Sequence, residues 1–331
     1  VGVVNTKDQY EVLHGQLVDQ FNVPGPSFHS VDQIGNKANM QQLIEDLQLN
    51  LFRPTTICCQ LSEVSNLLKS LQFPVVIKPF SGAHSRGVHK LNFQEDFEEI
   101  YPNLYKHFSQ MKNKKDQTVL IAEHISGKQV APVCYVDGKS KVHLLSLVKC
   151  ITAQDLKLPH LQIIYRTTPS NFSEEILNKI KFVLQKIAKA TQLRNTFLDP
   201  EFIIKKNNVY LIEINVRLGG FRKKLIQDAY GINLHQLMTE LALNQEIDDS
   251  FASVSSATAC EIWENNSGKI KNIKIPNSKF ITSSKITIGI GEECLAPPNG
   301  TSALGTIFLK TKDKSLSKMK SLREKVMVEI E

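Results

Sequence analysis

The 331-residue chain lacks any window of 18 consecutive apolar residues, and its N-terminus lacks the basic-then-apolar layout of a secretory leader. A membrane-spanning or secreted protein is therefore not expected. The six cysteines, Cys58, Cys59, Cys134, Cys150, Cys260 and Cys294, include no CxxC pair. They read as reduced thiols in a cytoplasm-like compartment rather than as a disulfide or zinc framework. No convincing internal repeat or low-complexity tract is present, which excludes solenoid and fibrous architectures.

Charge of one sign is only mildly in excess. Forty basic against 33 acidic residues give a formal charge of +7, spread over short clusters such as 112–115, 222–224 and 310–314. None is interleaved with aromatics, so no nucleic-acid surface is expected, and most of these lysines read as solvated helix ends and turns. A small anionic ligand would need only two or three of them. Hydrophobic residues make up 41% and charged residues 22%, which suits a globular chain of two or three lobes. The chain begins at Val1 rather than Met, and upstream sequence removed by processing is an expectation.

Periodicity organises the rest. Val12, Leu13, Leu17, Val18 and Phe21 share a helical stripe that ends at Pro24-Gly25-Pro26, so residues 1–30 look like the tail of a βα unit. Residues 33–49 read as one helix, 61–71 as another, and 75–79 (Val-Val-Ile-Lys-Pro) as a strand. A small-residue loop at 81–88 precedes a helix over 93–108, and 118–125 is a strongly apolar strand. Alternating strands at 130–136 and 142–149 join at Asp137-Gly138 as a hairpin. Residues 150–168 lack periodicity and read as an irregular loop over a site. Ser173 is a suitable N-cap for a helix with Ile176, Ile180, Val183, Ile187 and Ala190 on its buried stripe. Strands at 201–204 and 209–215 follow, then helices at 234–243 and 316–328. Without a regular βαβ count, α+β lobes fit better than one doubly wound sheet.

The hairpin at 201–215 breaks the apolar rule. Side chains two apart on a strand share a face, so Glu213 and Asn215 point one way while Ile212 and Ile214 point the other. If Lys206-Asn207-Asn208 is a three-residue loop with an Asn in the left-handed conformation, Lys205 faces Val209 and Glu201 faces Glu213. Facing carboxylates repel unless a cation or a proton sits between them. Two carboxylates and an amide suit Mg²⁺, which keeps room for phosphate oxygens. A solvent-facing polar strand with an offset register is the open alternative on this hairpin alone. The loop at 81–88 can expose backbone N–H groups to phosphates, with Lys78 adding a point charge. It matches neither the Walker pattern nor GxGxxG, and a plain turn remains the alternative.

The order of these pieces carries more than any one of them. The strand ending Val-Val-Ile-Lys-Pro, the loop closing Ser85-Arg86-Gly87-Val88, the segment 121–127 (Ile-Ala-Glu-His-Ile-Ser-Gly), and Glu201 with 213–220 (Glu-Ile-Asn-Val-Arg-Leu-Gly-Gly) together resemble the ATP-grasp superfamily over about residues 30–330. The resemblance implies an ATP-grasp fold in which two α+β lobes clasp ATP. It divides the chain into a remnant of an N-terminal α/β domain (1–30), linker helices (31–72), a small lobe with the phosphate flap (73–125) and a large lobe with the metal site (126–331). Lys37 and Lys78 match the phosphate-reaching lysines, and Gly82, Ser85 and Gly87 belong to the flap. Glu123, His124 and Ile125 match the adenine-framing hinge, and Gln129 stands where the ribose is held. Glu201, Glu213 and Asn215 match the ligands of Mg²⁺ (or Mn²⁺), and Arg217 matches the arginine beside the transferred phosphate. Lys78 and Arg217 are thus the expected catalytic pair.

Four departures stand out: Asn36 replaces an aspartate before the first lysine, His84 a flap glycine, Gln129 the ribose-holding acid and Ala122 a hinge glutamate. Altered or weaker nucleotide binding is the expected consequence. The Val-Arg-Leu-Gly-Gly ending, the long helix at 174–192 and the strand-rich C-terminus resemble the amino-acid ligase branch. This implies an ADP-forming ligase that joins a carboxylate to an amine through an acyl phosphate. Its partners would be ATP and small substrates, with no nucleic acid or membrane, and a homodimer is one expected assembly. A purine-biosynthesis or carboxylase-type ligase, or a regulatory subunit without catalysis, are the alternatives.

Overall fold

The computed structural model describes all residues except 81–86, 110–116, 159, 249 and 298–302. Three helices lead into it: α1 (Glu11–Phe21), α2 (Phe28–Gly35) and α3 (Lys37–Asp46). The expected single helix over 33–49 is thus two. Asn36 leaves the helical region (φ −80°, ψ 117°) and ends α2, so that Lys37 begins a new helix. Val1–Val4 forms no strand among the described residues.

The small lobe is an antiparallel sheet of β1 (Thr56–Gln60), β2 (Val75–Pro79), β3 (His89–Leu91) and β4 (Thr118–Glu123), in the order β1-β4-β2-β3. One face carries α4 (Val64–Leu68) and α5 (Asp96–Ser109), with Val64, Leu68, Ile77, Leu91, Leu104, Phe108, Val119 and Ile121 in the shared core. Alternation along β2 buries Val75 and Ile77 and leaves Val76 and Lys78 half-buried. Lys78 therefore faces away from that core.

The large lobe contains β5 (Lys128–Val136), β6 (Val142–Thr152), β7 (Ile163–Thr168), α6 (Glu174–Ala190), β8 (Thr196–Lys205), β9 (Asn208–Asn215), α7 (Arg222–Tyr230) and α8 (Leu234–Ala242). The C-terminal part adds β10 (Ser256–Ile262), β11 (Gly268–Lys274), β12 (Ile281–Ile286), β13 (Glu293–Cys294), β14 (Gly305–Thr311), α9 (Ser315–Arg323) and β15 (Met327–Ile330). Eight of these strands form one sheet, ordered β12-β14-β10-β7-β6-β5-β8-β9, and β13-β11-β15 form a small third sheet. Ser173 caps α6 by accepting the Ile176 N–H, and Ile176, Ile180, Val183 and Ile187 pack on β5, β6, β8 and β9. Each such buried side chain contributes roughly 1.5–3 kcal/mol. Leu225, Ile226, Ala229, Leu234 and Leu237 of α7 and α8 pack in a second core with Val133, Tyr135, Val148 and Phe197. Two cores thus draw on one sheet, which is why β5 is buried along most of its length.

Two further expectations are corrected. Residues 150–168 are not an irregular loop: β6 continues to Thr152, and β7 sits inside the eight-stranded sheet between β6 and β10. Buried polar Thr167 and Thr168 on β7 masked its period. The C-terminal helix stops at Arg323, and Met327–Ile330 pairs with β11 instead.

Candidate active site

The β8–β9 hairpin holds the acidic group. Lys205 pairs with Asn208 across a two-residue turn in which Lys206 takes the positive φ (56°), not across a three-residue loop with a left-handed Asn. A β-bulge between Glu201 and Phe202 then shifts the register by one residue, so Glu201 faces Glu213 as expected and Asp199 faces Asn215. The shorter turn and the bulge cancel. The extra residue also keeps Glu213 and Asn215 on one face while Ile214 is buried on the other.

Around that pair the donors are close. Asn215 Nδ2 lies 3.5 Å from Glu213 Oε1, and Gln129 Nε2 donates to Glu201 Oε2 at 3.0 Å. The amide of Gln129 is therefore turned to a carboxylate of the acidic pair. Burial pushes Glu201 up to about 7, with the charges of Glu213 and Asp199 adding to the rise and Arg222 and Arg166 opposing it. Among the described residues no three His, Cys, Asp or Glu form a metal cluster. The donor set is two carboxylates and an amide, which fits a hard ion that completes its shell with phosphate and water oxygens.

Beside it lies an arginine–carboxylate cluster. Arg217 Nη1 donates to Asp199 Oδ2 at 2.8 Å, and Arg222 Nη2 to Asp199 Oδ1 at 2.7 Å. Asp8 pairs with Arg217 Nε, and Glu11 Oε1 lies 3.4 Å from the same nitrogen. Glu11 is buried; desolvation pushes it up to about 7 against the Val216 N–H and Arg217, which favour its charge. Gly219 makes the close approach feasible, because a Cβ there would sit 2.5 Å from Asp199 Oδ1.

The cationic half comes from the small lobe and α3. Lys37 Nζ donates to the carbonyls of Pro79 and Phe80 at the end of β2. Burial lowers Lys37 to about 8, helped by the charge of Lys78 and opposed by Glu213. Lys37, Lys78 and Glu213 therefore share one space. Gly87 takes φ +66°, and a Cβ there would meet Pro79 Cγ at 2.9 Å. Gly82, His84 and Ser85 lie outside the described residues.

A family model described as the ATP-grasp domain matches residues 71–224. This chain carries an ATP-grasp domain. The crystal structure of an L-amino acid ligase from Bacillus licheniformis superposes with a TM-score of 0.84 at 19% identity, covering 100% of this chain and 81% of that one. An uncharacterized protein, y4rH, of Sinorhizobium fredii is 24% identical over 277 residues, 82% of this chain and 55% of that protein. A D-alanine–D-alanine ligase of Petrotoga mobilis is 24% identical over 153 residues, 45% of this chain and 48% of the ligase. The chain thus spans about half the length of these two curated relatives.

The segment expected to frame adenine is Glu123 at the end of β4, half-buried His124 and buried Ile125. The backbone N–H groups of Glu123 and His124 donate to Thr55 and Pro74 carbonyls, which fixes the hinge to β1 and β2. His124 is lowered by burial and shares a hydrogen bond with Gln154, so the segment after β6 does reach the hinge. No helix among the described residues is long and apolar enough to cross a membrane. Sequence reasoning missed Asp199, Arg222, Asp8 and Glu11. Asp199 was findable, two residues before Glu201 on the same strand. Helix α7 was hidden behind Gly219-Gly220 and three consecutive basic residues. Asp8 and Glu11 gave no local signal, because they meet Arg217 across more than 200 residues of chain.

Proposed function

We propose that this ATP-grasp protein is an ADP-forming ligase that uses ATP and Mg²⁺ to join a carboxylate, most directly an amino acid, to an amine. One observation carries the reading: Glu201 and Glu213 face each other across β8–β9 with Asn215 beside them, in the same space as Lys37 and Lys78. The superposition on an L-amino acid ligase over the whole chain supports the substrate class.

Held by Glu201, Glu213 and Asn215, Mg²⁺ would neutralise phosphate charge and orient the terminal phosphate. The chain's own groups do the remainder. Lys37 and Lys78 place positive charge at the β and γ phosphates, and Arg217 meets the phosphoryl group in flight. A substrate carboxylate oxygen attacks the γ phosphorus, the bridging P–O bond breaks, and ADP leaves with the electron pair. The amine nitrogen then attacks the acyl carbon, loses a proton and expels phosphate. The hinge and the flap keep the reacting atoms aligned and exclude water.

Turnover of ATP against a panel of amino acids, alone and in pairs, tests this. Amino-acid-dependent release of ADP and phosphate is expected. Stimulation by bicarbonate alone, or no turnover with any carboxylate while ATP binds, would contradict it.

A further inference from the structure

We propose that Glu11 and Asp8, at the start of the first helix, are positioning residues that set the guanidinium of Arg217 for the phosphoryl group. The inference rests on the reading of Arg217 as the arginine beside the transferred phosphate. Its basis is the way the guanidinium is divided among its acceptors. The Nε edge belongs to the N-terminal segment, where Asp8 pairs with it and Glu11 Oε1 lies at 3.4 Å. Nη1 is taken by Asp199 of β8 at 2.8 Å and by a longer bond to the neighbouring Leu218 carbonyl at 3.4 Å. Among the described residues no acceptor is assigned to Nη2, so the third corner of the planar fork is the one left for a ligand oxygen.

Glu11 does more than contact the side chain. Its second oxygen, Oε2, accepts the Val216 N–H at 3.0 Å. One buried carboxylate therefore ion-pairs with the guanidinium and accepts from the peptide between Asn215 and Val216, tying the arginine's orientation to the end of the strand that carries Glu213 and Asn215. An anchor for α1 alone would need neither the second contact nor a buried charge, since an apolar side chain would hold a helix there at less cost. Asp8 and Glu11 then make the N-terminal segment a working part of the site.

The test separates the γ phosphate from the rest of the nucleotide. Calorimetric titration with Mg-ADP and with Mg-AMPPNP, a non-hydrolysable ATP analogue, gives two affinities whose ratio reports contacts to the γ phosphate. Wild type, Arg217→Ala, Glu11→Gln, Asp8→Asn and the double variant Glu11→Gln/Arg217→Ala are compared. Arg217→Ala should reduce the ratio by about tenfold, as for one lost charge-assisted contact. Glu11→Gln should reduce it by roughly threefold or more, and the double variant should fall no further than Arg217→Ala, because one residue acts through the other. Mg-ADP affinity should hold throughout. Asp8→Asn, at a half-buried carboxylate, should give a smaller drop and decides the matter if Glu11→Gln fails to fold. An unchanged ratio in Glu11→Gln and Asp8→Asn alongside a reduced one in Arg217→Ala would overturn the positioning role and leave the proposed function standing. Additive losses in the double variant would also overturn it. An unchanged ratio in Arg217→Ala would remove the phosphate role of the arginine itself and the inference with it.

Discussion

The acidic and cationic halves of the site are held in different ways. Glu201, Glu213 and Asn215 sit on two paired strands, where ladder register and one bulge fix their separation, and Asp199 continues the same face toward Arg217. Lys37 and Lys78 sit on separate elements of the small lobe and its lead-in, and Lys37 spends its ammonium on the Pro79 and Phe80 carbonyls. The acidic half is preorganised by pairing, whereas Lys37 has carbonyl partners that a phosphate would have to replace or share. On the proposed function, this contrast would suit a metal held on a rigid platform and lysines that close over the nucleotide.

Breaking the rigid half should have the largest effect. Glu213→Gln is expected to remove most Mg²⁺-dependent turnover, by about 10²-fold or more, while the melting temperature stays near wild type, because it deletes a charge on a site face and no core volume. Glu201→Gln should follow the same pattern less severely. Unaltered magnesium dependence in Glu213→Gln would remove the hairpin from the metal site. On the cationic half, Lys78→Ala should slow turnover by roughly 10²-fold with its magnesium dependence intact, and a full rate in that variant would sever the small lobe from the chemistry.

The smallest effect concerns stability without metal. Glu201 and Glu11 are both pushed up to about 7 in the folded chain, from 4.5. Between about pH 4.5 and 7 the folded state then holds protons that the unfolded state has released, so stability falls as pH rises through that window. Burial lowers His14, His89, His124 and His160, which act with the opposite sign, so the difference between variants carries the test: from pH 5.5 to 8 the melting temperature of metal-free Glu201→Gln should fall less, or rise more, than that of wild type. Parallel pH profiles for the two proteins would show that Glu201 is not buried at a cost.

The sequence was readable where local rules act alone. The Ser173 cap, the α6 stripe and the period of β2 follow from spacing within a few residues, and the Glu201–Glu213 pairing emerged from strand alternation. That pairing was reached through the wrong turn, since a two-residue turn and a bulge together mimic a three-residue loop. Order of motifs supplied the ATP-grasp fold, as the family match over 71–224 shows. What stayed hidden depends on contacts between distant segments. β7 owes its strand to neighbours on both sides, β6 and β10. The Asp8–Glu11–Arg217–Asp199 cluster joins the first helix to the large lobe, and no window of sequence contains it.

The central claim is that positive charge converges on the terminal phosphates and a carboxylate attacks there. Incubating the protein with ATP, Mg²⁺ and an amino acid that stimulates turnover, with hydroxylamine in place of the amine, tests it most directly. The account predicts an amino-acid hydroxamate and ADP in equal amounts, with no AMP. Hydroxamate accompanied by AMP and pyrophosphate would contradict it, because attack would then fall on the α phosphate, away from Lys37, Lys78 and Arg217.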